Sequence, residues 1–357
     1  MTLVLSNDDV EKVLTMTDCI GVLERAYVEL AAGRGVSRVR SDCLTPTERD
    51  DALYALKSMD GVVPSLGVAA VRVNSDILTW PKHGNALRRA KVPAAPDNRY
   101  TGLVLLFSTE TGEPLAFFPD GVIQRMRVGA TNGLAIKYLA RADATKVGII
   151  GSGWQAGAQL TAVCTVRKIG SIRCYSPNRD NREAFASHMS AALGVEVVPV
   201  DQPEDAIRGS DLAMCATSSI DPVFFESWIE EGMHISSIKR PEIELKAIKR
   251  ATRVVIHTND ANPLHVTTKD LAVPERSNGR GWTAAQGIDF SKLPTLPDLI
   301  AGKTEGRRSN DDVTCFINNL GMGIQFAATG SVVYDKAREY GLGHELPTEW
   351  FTEDVHP

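Results

Sequence analysis

The stretch Lys146-Val147-Gly148-Ile149-Ile150-Gly151-Ser152-Gly153-Trp154-Gln155-Ala156-Gly157 decides how the chain is read. Apolar, largely β-branched residues up to Ile150 have the pattern of a buried strand, two glycines permit a sharp turn, and residues 158–166 continue as a helix pattern without proline. In a GxGxxA turn the first glycine lets the chain reverse and the second lets backbone approach a pyrophosphate. The small third residue allows close helix–strand packing, and the bare N–H groups of the new helix face the phosphates. The stretch therefore predicts a Rossmann dinucleotide site with Gly151, Ser152, Gly153, Trp154, Gln155 and Ala156 at the turn. A second strand, Ser171–Tyr175, follows at βαβ spacing.

An NAD-specific site carries an acidic residue about twenty positions past the first glycine, where it binds the ribose hydroxyls and repels a 2′-phosphate. Here the chain reads Tyr175-Ser176-Pro177-Asn178-Arg179. Ser176, Asn178 and Arg179 are neutral or cationic donors suited to a phosphate, so NADP(H) is favoured and NAD(H) is the alternative. Ala216, Thr217, Ser218 and Ile238, at the ends of later strand patterns, complete the expected cofactor contacts.

With 357 residues and 43 % hydrophobic content, the chain supports two domains of ordinary size. A net charge of −5 without a lysine/arginine-rich block argues against nucleic acid or an anionic membrane as partner. No apolar run approaches the ~20 residues of a membrane span, and Met1 to Asp9 lacks the positive start of a signal peptide, so a cytoplasmic protein is expected. The six cysteines form no CxxC pair and read as reduced, buried thiols; the seven histidines show no HxxxH spacing, so no metal site is expected.

Two helices open the chain, the second ended by Gly33 and Gly35, and strand patterns fill residues 38–118 with a hairpin around Thr109-Glu110-Thr111-Gly112-Glu113. Residues 77–100 read as a long loop rich in proline and basic residues (Lys82, His83, Arg88, Arg89, Lys91 and Arg99 among them): a lid, an oligomer arm or a solvated insertion. A helix over 122–140 bridges to the glycine turn. Strands and helices then alternate as in a doubly wound sheet. Asn310-Asp311-Asp312-Val313 reads as a cap for one or two helices over 314–340.

This order resembles the ornithine cyclodeaminase/mu-crystallin family over nearly the whole chain. The resemblance rests on Ser108-Thr109-Glu110-Thr111-Gly112-Glu113-Pro114-Leu115-Ala116, Arg127 with Leu134-Ala135-Ile136-Lys137-Tyr138-Leu139-Ala140, the turn with Gln155 and Gln159, Pro222-Val223-Phe224 through Gly232-Met233-His234-Ile235, and Gly341-Leu342-Gly343. It implies an α/β protein in which a Rossmann domain (127–312) is inserted into an α+β substrate-binding and dimerisation domain (1–126, with helices of 313–357 returning to it). It also implies a homodimer and hydride exchange between nicotinamide and the C–N carbon of a small amino or imino acid. Arg40 and Arg127 match the family's carboxylate-binding arginines. The family's strand lysine is replaced by Ala69, leaving Lys57 or Arg72 to supply that charge, and Lys57 or Lys239 is the candidate proton donor. Where the family's catalytic aspartate falls, the chain reads Lys239-Arg240-Pro241-Glu242. A further aspartate is replaced by Phe326, and Val128 stands where a threonine is common. Mu-crystallin-like members also lack the first aspartate and act as NADPH-dependent imine reductases, so the expectation is an NAD(P)H-dependent reductase or dehydrogenase of this kind. The alternatives are a cyclodeaminase, turning ornithine into proline and ammonia, and a cofactor-binding protein or subunit without turnover.

Overall fold

A computed structural model describes residues 1–83, 86–87, 90–219, 221–260, 263–271 and 288–354. Helices Asn7–Val13 and Met16–Ala31 each begin in a capping box: Ser6 and Asp9 exchange side-chain and backbone bonds, as do Thr15 and Asp18. Such a cap contributes about 0.5–2 kcal/mol. Ile20, Leu23, Ala26 and Tyr27 form the buried stripe of the second helix, which ends as Gly33 takes a φ of +72°.

Thr2–Val4 and strands that follow the helices build a ten-stranded sheet around the pair Ala52–Val63 and Val68–Thr79, antiparallel along their full length. In the second of these, every other residue from Val68 to Leu78 is buried, the period of a strand with one face on a core. Helices Met16–Ala31, Gly121–Leu139 and Ile324–Glu339 share one buried cluster with that face, with Tyr27, Phe118, Ile123 and Phe326 among its largest fully buried side chains. Each such burial is worth about 1.5–3 kcal/mol.

The second sheet is parallel throughout. Its seven strands lie in the order Val197–Pro199, Ser171–Tyr175, Lys146–Ile150, Leu212–Cys215, His234–Ser237, Thr314–Ile317, Arg253–Ile256. The chain order reverses beside Lys146–Ile150, where an open α/β sheet presents its ligand crevice.

Three departures from the sequence reading have physical causes. Residues 314–317, expected to begin the C-terminal helices, form a buried strand of the second sheet; a short apolar run has no periodicity to separate the two, and the helix starts only at Ile324. Leu264–Thr267, within the nucleotide half of the sequence, leaves that sheet and pairs parallel with Ser41–Pro46 at the edge of the first. In the expected loop 77–100, the first residues complete Val68–Thr79 and Ala90–Val92 pairs back onto that strand; Lys82–His83 pairs with Ala86–Leu87, while Arg88 and Arg89 lie outside the described residues. All six cysteines are free; Cys19, Cys174, Cys215 and Cys315 are buried as expected, Cys164 is half-buried and Cys43 is exposed.

Candidate active site

Gly151 holds a φ of +123°, and a Cβ added there would lie 2.2 Å from the Ala216 carbonyl oxygen. No other residue fits that turn. Its N–H donates to Tyr175 O at 2.8 Å, which ties the turn to the neighbouring strand. Helix Trp154–Val166 then starts from Gly153 without a side-chain cap, leaving its first N–H groups to a ligand. A Cβ on Gly153 would meet nothing within 4 Å, and Gln155 Oε1 has no partner among the described residues.

The turn opens on a cleft of about 730 Å³. Of the residues expected to hold the cofactor, Gly151, Ser152, Gly153, Trp154, Gln155, Ser176, Asn178, Ala216, Thr217, Ser218 and Ile238 line it. Ala156 is fully buried beneath, as the close-packing position requires. Arg179 does not line the cleft: it is three-quarters exposed and its Nε pairs with Glu183 Oε1 at 2.7 Å across one helical turn. Ser152 Oγ donates to Ser176 Oγ at 2.8 Å, a hydroxyl pair where an NAD-type carboxylate would stand, and Asn178 caps helix Arg179–Leu193 by accepting from Asn181 N.

Glu242 was legible only as an acid near the expected aspartate, and its task differs. Its buried carboxylate accepts from Thr217 N at 2.6 Å, Thr217 Oγ1 at 2.8 Å and Ile238 N at 2.9 Å, clamping two cleft-lining segments together. Burial raises its pKa. Lys239 follows directly on Ile238 and acts on Glu242 through its charge.

The inner face of the first sheet carries the remaining candidates. One cross-strand row runs His265, Asp42, Lys57, Asn74, Gly102, and Arg72 lies in the next. Arg40 donates to both oxygens of Asp42, at 2.8 and 2.7 Å. Buried Lys57 meets Asp76 at 2.8 Å, and Lys91 meets the same carboxylate at 2.9 Å. Arg72 Nε donates to Asp120 Oδ2 at 2.7 Å, and Asn74 donates to that oxygen at 3.1 Å. Ala69 belongs to the opposite, outer face, so no charge at that position could join the group.

Arg127 differs from the other three. It is 5 % exposed, yet its bonds go to two amide oxygens, Gln325 Oε1 at 3.0 Å and Gln124 Oε1 at 2.8 Å, and among the described residues no carboxylate pairs with it. Burial, then the neighbouring Arg72 charge, lowers its pKa to about 9, with Arg40 adding to the effect. Arg72 and Arg127 both face the Phe326 ring, at 5.4 and 5.3 Å from its centroid. A buried guanidinium in this state keeps its charge uncancelled by any carboxylate among the described residues.

Arg127 and the glycine turn lie on helices packed against each other. A Cβ on Gly129, two residues past Arg127, would lie 2.6 Å from Ala158 O in the helix that the glycine turn begins, and Arg125 stacks over Trp154 at 5.2 Å. A dinucleotide cleft joined in this way to a cluster of guanidinium groups defines an NAD(P)-dependent oxidoreductase. The sequence profile of the ornithine cyclodeaminase/mu-crystallin family matches residues 1–341, and the chain belongs to that family. It is 28 % identical over 349 residues to a Delta(1)-pyrroline-2-carboxylate reductase of Bacillus cereus, covering 96 % of this chain and 99 % of the relative. Among solved structures it resembles the Thermococcus litoralis Delta(1)-pyrroline-2-carboxylate reductase in complex with NADH and L-proline (TM-score 0.77, 30 % identity, 97 % of this chain and 100 % of that one). It also resembles an archaeal alanine dehydrogenase dimer with bound NAD (TM-score 0.76, 25 % identity, 97 % and 99 % covered).

Proposed function

We propose that the protein reduces the C=N bond of a small α-imino monocarboxylate, or oxidises the matching amine, with NADP(H) preferred to NAD(H). The observation that carries this reading is Arg127: a buried guanidinium without a carboxylate partner among the described residues, on the helix that packs against the helix begun by the dinucleotide turn. The nicotinamide supplies a hydride. Arg127 holds the substrate carboxylate, with Arg40 and Arg72, each oriented by its own aspartate, shaping the field around it. With the nicotinamide's hydride on the imine carbon, the nitrogen would need one proton to give the amine, and Lys57, held by Asp76, or Lys239, next to the cleft, would deliver it.

Cyclodeamination requires a carboxylate to direct a second amine. Glu242 is engaged by Thr217 and Ile238, and Asp42, Asp76 and Asp120 each hold a cation, which favours the reductase. The preference for NADP(H) rests on the Ser152–Ser176 hydroxyl pair, which stands where an NAD-type carboxylate would. The protein pairs as a homodimer through the outer face of the first sheet, where Val266, Cys43 and Leu56 lie in one row and Leu103 is close to half exposed.

The test is NADPH and NADH oxidation by the purified protein with 1-pyrroline-2-carboxylate, its six-membered homologue, and pyruvate or oxaloacetate plus ammonia or methylamine. Turnover with a monocarboxylate imine is expected. Absence of turnover across the panel, in folded protein that binds NADPH, removes the reading; proline formed from ornithine without added reductant replaces it with the cyclodeaminase.

A further inference from the structure

We propose that Gln325 is a positioning residue that presents Arg127 to the substrate while leaving its charge uncancelled; this rests on Arg127 being the carboxylate receptor. The Gln325 amide has one allowed orientation. Met322 N–H and Arg127 Nη1 both donate to Oε1, at 2.9 and 3.0 Å, and neither can accept. The opposite end, Nε2, lies 3.0 Å from Tyr27 Oη and 2.8 Å from Thr131 Oγ1.

The protons of those two hydroxyls are committed elsewhere. Thr131 Oγ1 donates to Arg127 O at 2.7 Å. His257 Nδ1 is 2.6 Å from Leu320 O, an acceptor, so Nδ1 carries the imidazole proton and Nε2 accepts from Tyr27 Oη at 2.8 Å. Both hydroxyl oxygens are thereby left to accept from Gln325. Tyr27, Thr131, His257 and Gln325 are all fully buried, and in such an interior a fully satisfied network holds one geometry.

The chemical identity of the orienting group matters as much as its place. Arg40 and Arg72 are each oriented by an aspartate that also cancels its charge, and Lys57 is oriented by Asp76, which it shares with Lys91. A neutral amide orients Arg127 without cancelling it, so the charge of this guanidinium is left for a carboxylate. An isosteric carboxylate at position 325 would occupy the receptor from within.

The experiment is Gln325→Glu in the NADPH-bound protein, with two readouts. The first is the ratio of kcat/KM for 1-pyrroline-2-carboxylate to that for 1-pyrroline, which lacks the carboxylate. The second is calorimetric affinity for pyrrole-2-carboxylate, an unreactive planar probe. The expected result is a fall of at least tenfold in both, expressed in KM rather than kcat. Tyr27→Phe, which loosens the amide without adding charge, should raise KM a few-fold, and the same change in the Gln325→Glu background should add nothing. If wild-type protein binds the probe but reduces no imine, and Gln325→Glu loses the probe, the role of Gln325 stands and the reductase reading falls. If Gln325→Glu keeps both the ratio and the probe affinity within twofold while Arg127→Met loses them, or if both substrates suffer equally, the role of Gln325 is overturned.

Discussion

Replacing Gly321 by alanine moves the receptor without touching its chemistry. A Cβ at 321 would stand 2.5 Å from Arg127 Nη1, 2.9 Å from Nη2 and 3.0 Å from Cζ. Ordinary contact begins at 3.4 Å, so the guanidinium must retreat by about 0.9 Å (3.4 − 2.5). Gly321 is not in the left-handed region, so alanine meets no backbone strain there. The atoms displaced are the far end of a flexible side chain, and the cost to folding should stay near ~1 kcal/mol. The 3.0 Å bond to Gln325 must stretch or break, and a bound carboxylate can keep one of its two charge-assisted hydrogen bonds. One such bond is worth about 1.5–3 kcal/mol, or about 10- to 150-fold. The assay is steady-state NADPH oxidation with 1-pyrroline-2-carboxylate, with thermal melting as the check on folding. The prediction is a KM rise in that range with a melting temperature within a few degrees of wild type. A KM within twofold of wild type, in protein that binds NADPH, would refute the placement of the carboxylate at Arg127.

Two further outcomes follow from the geometry. Arg179→Ala, at a residue that pairs with Glu183 outside the cleft, should change NADPH and NADH binding by less than twofold each; a tenfold loss confined to NADPH, read by fluorescence titration, would return Arg179 to phosphate recognition. Burial holds the pKa values of His234 and His257 at about 3, against an ordinary 6.5. The unfolded chain therefore takes up protons that the fold refuses, and stability declines as pH falls from about 6.5 toward 3, by up to ~1.4 kcal/mol per pH unit for each histidine. His257→Gln should flatten that acid limb by about one proton in urea titrations at stepped pH; an unchanged slope contradicts a neutral buried His257.

The glycine turn was readable because its function is local: strand, turn and helix start lie within twelve consecutive residues, and the steric demand at Gly151 is written in residue types. Arg127 was readable through its place on the bridging helix. What surrounds it was not, because partners come from distant segments: Asp120 lies 48 residues from Arg72, and Gln325 198 residues from Arg127. Part of the site was nonetheless available. Strand periodicity puts Arg72, Asn74 and Asp76 on one face and Ala69 on the other, so alternation would have shown that position 69 cannot join the cluster and that Asp76 can. The residues Val313-Thr314-Cys315-Phe316-Ile317 carried no comparable mark, since a buried strand and a buried helical turn are spelled alike. Arg179 was assigned by residue type, and its direction depended on Glu183, one turn further along the helix.

The strand Leu264–Thr267 has a mechanical consequence. Its backbone is bonded to Arg40 O through Leu264 N at 2.7 Å and runs in register beside Ser41 to Leu44, while the segments on either side of it, Arg253–Ile256 and Thr314–Ile317, sit in the other sheet. A segment that belongs in sequence to the nucleotide half is thus laid along the edge of the first sheet, and Arg40 is held from two directions: its carbonyl by Leu264 and its guanidinium by Asp42.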